Sequence, residues 1–179
     1  MELKRIIDPI HPDAIALIAL HKSTFPEYTH FYERALWPYL IENYSRLYFN
    51  AVYRDNQLVG MFSYWDIDDA YYLQFITIYP EFRNQKIGQG ILDWSRTHLT
   101  KPLFIESEIP FDEITTRRLN FYKRNGFLEL ENDPEILSSF RDEDNHPLWF
   151  MGNESVPDST IYIEKIRDLV YLAGDEFLA

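Results

Sequence analysis

Apolar and polar positions change period several times along the chain, and each change marks an element. Leu3–Ile7 reads as a short strand. Pro12 to Phe25 predicts a helix, with Pro12 and Asp13 suited to its first turn and Pro26 ending it. Residues 31–45 predict a second helix, disturbed at Pro38. Arg46–Arg54 and Leu58–Asp66 are β-rich runs around Asp55-Asn56-Gln57, which reads as a hairpin turn. Tyr71–Tyr79 is a third such run, ending at Pro80. A polar connector, Glu81–Ile87, leads into a predicted helix over Gly88–Leu99. Leu103–Ile109 reads as a strand and Asp112–Asn125 as a helix, with Gly126 at the position of a left-handed cap. Phe127–Leu130 and Leu148–Met151 predict two further strands around an acidic loop that includes Arg141–His146. Thr160–Leu172 returns to helical spacing. With no repeat or linker, this order predicts one α/β unit over residues 1–152 and a C-terminal helical extension over 153–179.

Composition narrows the function classes. The chain has 179 residues, of which 46% are hydrophobic, enough to build a packed core. Having no cysteine, it has no thiolate nucleophile, disulfide or cysteine-based metal site. His11, His21, His30, His98 and His146 show no close ligand pairing, so no metal is expected. The run Ala14–Leu20 has the outline of a leader's apolar segment, but it is too short to span a bilayer and closes at His21-Lys22. A cytoplasmic protein is expected.

The net charge of −12 argues against nucleic acid and against an anionic membrane surface as partners. The charge is uneven. Residues 1–80 carry 6 basic and 10 acidic side chains, residues 128–179 carry 3 and 13, but residues 81–127 carry 8 and 6. A small anion fits the middle stretch, and a basic partner fits the remainder.

The middle stretch also holds the candidate chemistry. In Phe75-Ile76-Thr77-Ile78-Tyr79-Pro80-Glu81-Phe82-Arg83-Asn84-Gln85-Lys86-Ile87-Gly88-Gln89-Gly90, a strand enters a polar turn and then a helix start. The first turn of a helix offers unpartnered N–H groups and the positive end of its dipole. Gly88 removes a Cβ from the approach, and Arg83 and Lys86 add charge. The glycines alone favour an ordinary strand-to-helix turn; the whole string favours an anion site. It is neither a P-loop nor a dinucleotide fingerprint.

This string resembles the hallmark of the GCN5-related N-acetyltransferase (GNAT) family, a strand ending near V-x-P followed by [RQ]-x-x-G-x-[GA] and a helix. Two registers fit. Starting at Arg83 puts Lys86 where the first glycine belongs, and starting at Gln85 gives a full match through Gly90. The first keeps Ile78-Tyr79-Pro80 and the apolar Ile87, Ile91 and Leu92 at family spacing, and is preferred. The segment Phe121-Tyr122-Lys123-Arg124-Asn125-Gly126-Phe127 is similar to a second family motif.

The resemblance implies a mixed, mostly antiparallel twisted sheet flanked by helices, and acetyl-CoA as acyl donor. The diphosphate of coenzyme A would sit on amides of Arg83, Asn84, Gln85, Lys86, Ile87 and Gly88 and the following turn with Gln89 and Gly90. The pantetheine arm would lie along strand backbone near Ile76 and Ile78. Thr115 and Arg118 share a helical face with Tyr122, and the family position of Thr115 is commonly Asn; Arg118 would reach a phosphate or the acceptor. Tyr122 is implied as the general acid for the departing sulfur; the alternative is a core tyrosine with a surface hydroxyl.

Glu106 and Glu108 lie two apart on one strand face and are candidate bases; a solvated strand edge is equally compatible. Gln74 stands where some relatives have a glutamate, which leaves a water relay open. The aromatic crowd Phe25, Tyr28, Phe31, Tyr32, Trp37, Tyr39, Tyr44, Tyr48 and Phe49 reads as an acceptor wall or as core. The expected activity is N-acetyl transfer to a small amine or basic peptide by direct attack. The alternative is an acyl-CoA-binding module of little or no activity that works through a protein partner. The apolar side of the tail would pack on its own chain or on a second copy in a homodimer.

Overall fold

In the computed structural model of the chain, residues 1–25, 36–131, 133, 136–137, 148–171 and 173 are described. Strand β1 spans Glu2–Arg5, and helix α1, Pro12–Thr24, starts with the His11 ring accepting the Asp13 N–H. Helix α2 covers Leu36–Asn43 and includes Pro38. The expected start of this helix at residue 31, with Tyr28, Phe31 and Tyr32, lies outside the described residues, as does the acidic loop around 141–146.

Strands β2 (Leu47–Arg54) and β3 (Gln57–Asp66) form the expected hairpin. Asp55 (φ 50°) and Asn56 (φ 62°) are both left-handed, the twist a two-residue hairpin turn needs. Strand β4 is Tyr71–Ile78, helix α3 Ile87–His98, strand β5 Leu103–Glu108 and helix α4 Glu113–Arg124. Strands β6 (Leu128–Glu131) and β7 (Leu148–Gly152) follow, then helix α5 (Thr160–Ile166) and a π-helical turn, Arg167–Tyr171. Gly126 has φ 81° and completes a double cap: the Phe127 N–H donates to the Tyr122 carbonyl, and the Gly126 N–H to that of Lys123.

The described strands form one sheet in the order β1-β2-β3-β4-β5-β7-β6. All neighbours are antiparallel except β4 and β5. That mixed, mostly antiparallel sheet with flanking helices is the expected fold class. Two cores cover its faces. One joins α1, α2 and the tail through Leu17, Trp37, Phe49, Trp65, Phe104, Ile163 and Val170. The other joins α3 and α4 through Phe62, Leu73, Ile91, Ile105, Leu119 and Phe127.

Ile163, Ile166 and Val170 are buried against the first core. Burial of such a side chain contributes about 1.5–3 kcal/mol. The half-exposed Lys165–Asp69 pair (2.6 Å) contributes at most about 1 kcal/mol. Apolar packing, rather than charge, therefore holds the tail against the sheet.

Candidate functional site

Strands β4 and β5 are parallel but paired at only two positions, Tyr71 with Leu103 and Tyr72 with Phe104. Beyond that rung β5 continues beside β7, and β4 continues beside β3. The register explains the parting. Ser63 faces Phe75 but Tyr64 faces Leu73, so Gln74 is an extra residue, a β-bulge that bends β4. The bulge also reverses side-chain parity. Tyr71 and Leu73 pack on the α3 face before it, Ile76 and Ile78 after it, and Phe75 packs on the α1 face. Gln74 is thus a register device, with its Oε1 accepting the Trp65 indole N–H at 2.9 Å.

At the wide end of the parting, β4 runs through a 3₁₀ turn, Pro80–Phe82, to the start of α3. Asn84 (φ 63°) and Lys86 (φ 61°) are left-handed. Lys86 caps α3 in the left-handed conformation that glycine adopts most readily. Gly90 N–H donates to the Lys86 carbonyl, but the N–H groups of Asn84, Gln85, Lys86, Ile87, Gly88 and Gln89 find no acceptor among the described residues. These six donors crowd one turn and one helix start.

A cavity of about 510 Å³ opens there, lined by Ile78, Phe82, Arg83, Asn84, Lys86, Ile87, Gly88, Gln89, Phe121, Arg124 and Asn125. Arg83 donates from Nε to the Ile78 carbonyl at 3.1 Å, which folds it back over the end of β4. Neither Lys86 nor Arg124 has a carboxylate partner among the described residues. In a chain of net charge −12, unpaired cations facing unpaired amides make a site for an anion. Gly88 has a second role: a Cβ there would meet Phe121 Cζ at 3.3 Å, so the glycine lets α3 pack against α4. Arg124 did not figure among the candidates, although it is the basic residue of the second motif. The helix brings it to the cavity one turn beyond Phe121.

The remaining candidates separate. Ile76, Gln85 and Gly90 do not line the cavity; the Gln85 side chain bonds the Glu81 carbonyl at 3.1 Å. Thr115 is buried in a capping box. Its Oγ1 accepts the N–H groups of Phe111 and Asp112 and donates to Asp112 Oδ1, so it serves helix α4 rather than the cavity. Arg118 is paired with Glu108. The structure therefore does not bring Thr115 or Arg118 to the lining of this cavity. Glu106 Oε2 accepts hydrogen bonds from Tyr72 (2.6 Å) and from Tyr171 of the tail. Burial drives the Tyr72 phenol well above the ordinary tyrosine value, with Glu106 adding to the effect.

Tyr122 is half-buried beside Phe121 and Phe127. Its hydroxyl makes no hydrogen bond among the described residues. Burial pushes this phenol above its usual range, against a smaller opposing effect of Arg118. A phenol so perturbed stays protonated at neutral pH and can donate.

The sheet and its flanking helices match the fold of solved acyl-CoA N-acyltransferase structures. Residues 45–129 match the family model "Acetyltransferase (GNAT) domain". A solved structure from Bacteroides thetaiotaomicron, described as an acetyltransferase of the GNAT family, is 25% identical, covers 97% of this chain and 99% of its own, and superposes with a TM-score of 0.74. The PaiA N-acetyltransferase of Thermoplasma acidophilum, solved with coenzyme A, is 16% identical over 86% of this chain and 98% of its own, with a TM-score of 0.61. A spermidine N-acetyltransferase chimera from Vibrio cholerae and hSSAT is 16% identical over 85% and 95%, with a TM-score of 0.62. The last two show likeness of fold alone. No curated protein matches the sequence. The GNAT resemblance read from the two motifs is borne out by the family match and by the fold. No helix among the described residues is long and apolar enough to cross a membrane, and they hold no group of three or more potential metal ligands.

Proposed function

We propose that this chain transfers an acetyl group from acetyl-CoA to a primary amine, with both substrates bound together. The observation that carries the reading is the run of six unsatisfied N–H groups from Asn84 to Gln89, opening on a cavity with Arg83, Lys86 and Arg124. A diphosphate supplies the acceptors those donors lack. The unpaired edge of β4 beyond Tyr72 suits an extended amide-bearing arm, which would add to the sheet like a strand.

Acetyl-CoA supplies the acyl group as a reactive thioester. Tyr122 holds a proton for the departing sulfur, because its phenol remains protonated at working pH. A main-chain N–H on the open edge of β4, near Ile76, polarises the acyl oxygen. Glu106 faces the amine; Glu108 is less available because Arg118 already holds it. Without cysteine or a nucleophile elbow, direct attack by the amine needs the fewest protein groups. The solved structure named for spermidine supports an amine as acceptor class.

The test is release of free thiol from acetyl-CoA by the purified chain, across a panel of spermidine, an aminoglycoside and a lysine-containing peptide. Amine-dependent release supports the proposal. Calorimetric binding of coenzyme A without release for any amine would favour the binding-module alternative.

A further inference from the structure

We infer that the C-terminal segment completes the acceptor side of the site, with Tyr171 as a positioning residue that holds Glu106 at the point where β4 and β5 part. This rests on the acetyltransferase reading above. Tyr72 and Phe104 form the last rung between the two strands, and Glu106 lies two residues further along β5. It therefore sits at the entrance of the parting. It shares a strand face with Phe104, which belongs to the core shared by α1, α2 and the tail. The phosphate cavity lies instead by α3 and α4. An amine that meets the acyl group from the opposite face would meet Glu106.

Two phenols converge on one oxygen of this carboxylate. Tyr72 comes from β4 and Tyr171 from the last described turn of the tail, 65 positions along the chain from Glu106. The tail is aimed to do this. Ile163, Ile166 and Val170 are buried in the core, Tyr162 packs on the Phe104 ring at 4.5 Å, and Lys165 reaches Asp69. The segment Arg167–Tyr171 then widens into a π-helical turn that carries Tyr171.

A tail needed only for stability would be anchored more cheaply by apolar contacts alone. A carboxylate in partly buried surroundings carries a desolvation cost, and two hydroxyl donors offset it without removing the charge. Holding a carboxylate at the parting, with a donor supplied from outside the 45–129 domain match, is what a group with a task toward an amine requires.

The test uses the full chain with Tyr171→Phe, Glu106→Gln and the double variant. Each is measured for thermal midpoint, coenzyme A affinity by calorimetry, and kcat and KM for the amine turned over by the wild type. Tyr171→Phe is expected to leave coenzyme A affinity within twofold and to lower kcat/KM for the amine at least tenfold. Glu106→Gln is expected to lower it further, and the double variant to be no worse than Glu106→Gln alone. If Tyr171→Phe does not fold, Tyr72→Phe removes the other donor without touching the tail and is read the same way. Turnover unchanged in Tyr171→Phe, or losses that simply multiply in the double variant, would overturn the inference while leaving the acetyltransferase reading intact. A wild type that binds coenzyme A but acetylates no amine would overturn both.

Discussion

Tyr72 and Phe104 face each other across the last rung that joins β4 to β5, and two residues later Gln74 bulges out of register with β3. Between them they convert a closed sheet into one with a slot. The edge of β4 from Leu73 to Ile78 has no strand beside it on the β5 side among the described residues. Amides on that edge are expected to exchange with solvent deuterium quickly in the free protein and slowly once coenzyme A is bound. Hydrogen exchange of a peptide spanning residues 73–86 reads this directly. Unchanged exchange under saturating coenzyme A would mean that the slot is not where the arm lies.

Lys86 sits at φ 61°, a conformation that costs a side-chain-bearing residue about 1–2 kcal/mol. Glycine removes that cost but raises the chain entropy to be lost on folding by about 0.5–1 kcal/mol. Lys86→Gly is thus expected to stabilise the protein slightly, raising Tm by about 1–4 °C for a chain of this size. The same change removes a cation from the cavity and should weaken coenzyme A about fivefold, or about 1 kcal/mol. Thermal unfolding and calorimetry on one sample check both signs.

The Thr115 hydroxyl is a cap, so Thr115→Val should cost stability and spare the ligand. Loss of a helix cap is worth about 1 kcal/mol. Denaturant unfolding is expected to show that loss, with coenzyme A affinity unaltered. A large drop in affinity at wild-type stability would restore Thr115 as a cofactor contact.

Tyr122 gives a pH signature. Burial raises its pKa, so the protonated form that donates to sulfur persists through the ordinary tyrosine range and is lost only above it. The wild-type kcat should not fall below pH 10 on account of this group. Tyr122→Phe should lower kcat about 100-fold or more with little change in coenzyme A affinity. Equal turnover in the variant would retire the general-acid role.

The sequence carried the element order, the sheet class and the amide-rich turn between β4 and α3 because these follow from local pattern. Apolar period gave the strands, and Asp55-Asn56 and Gly126 sit at backbone positions their residue types favour. What it did not carry was the partner each side chain takes and where the strand register shifts. A first-turn threonine can bond back to Phe111 and Asp112, as Thr115 does, or turn outward, and the residue type alone does not choose. The partner of Arg118, Glu108, is on another element, so the arginine looks unpaired in sequence. The Gln74 residue type speaks only to side-chain chemistry, whereas its extra position in the register is what shapes the site. Lys86 was legible as a departure from a motif, but only the backbone shows that it keeps the glycine conformation.

The central claim is that the main chain from Asn84 to Gln89 grips the diphosphate of coenzyme A. The direct measurement is amide-resolved NMR of the ¹⁵N-labelled chain during titration with coenzyme A. The N–H resonances of Ile87, Gly88 and Gln89 are expected to shift downfield more than any others, with the same saturation curve. Saturable binding that leaves those three resonances in place, or no binding at all, would contradict it.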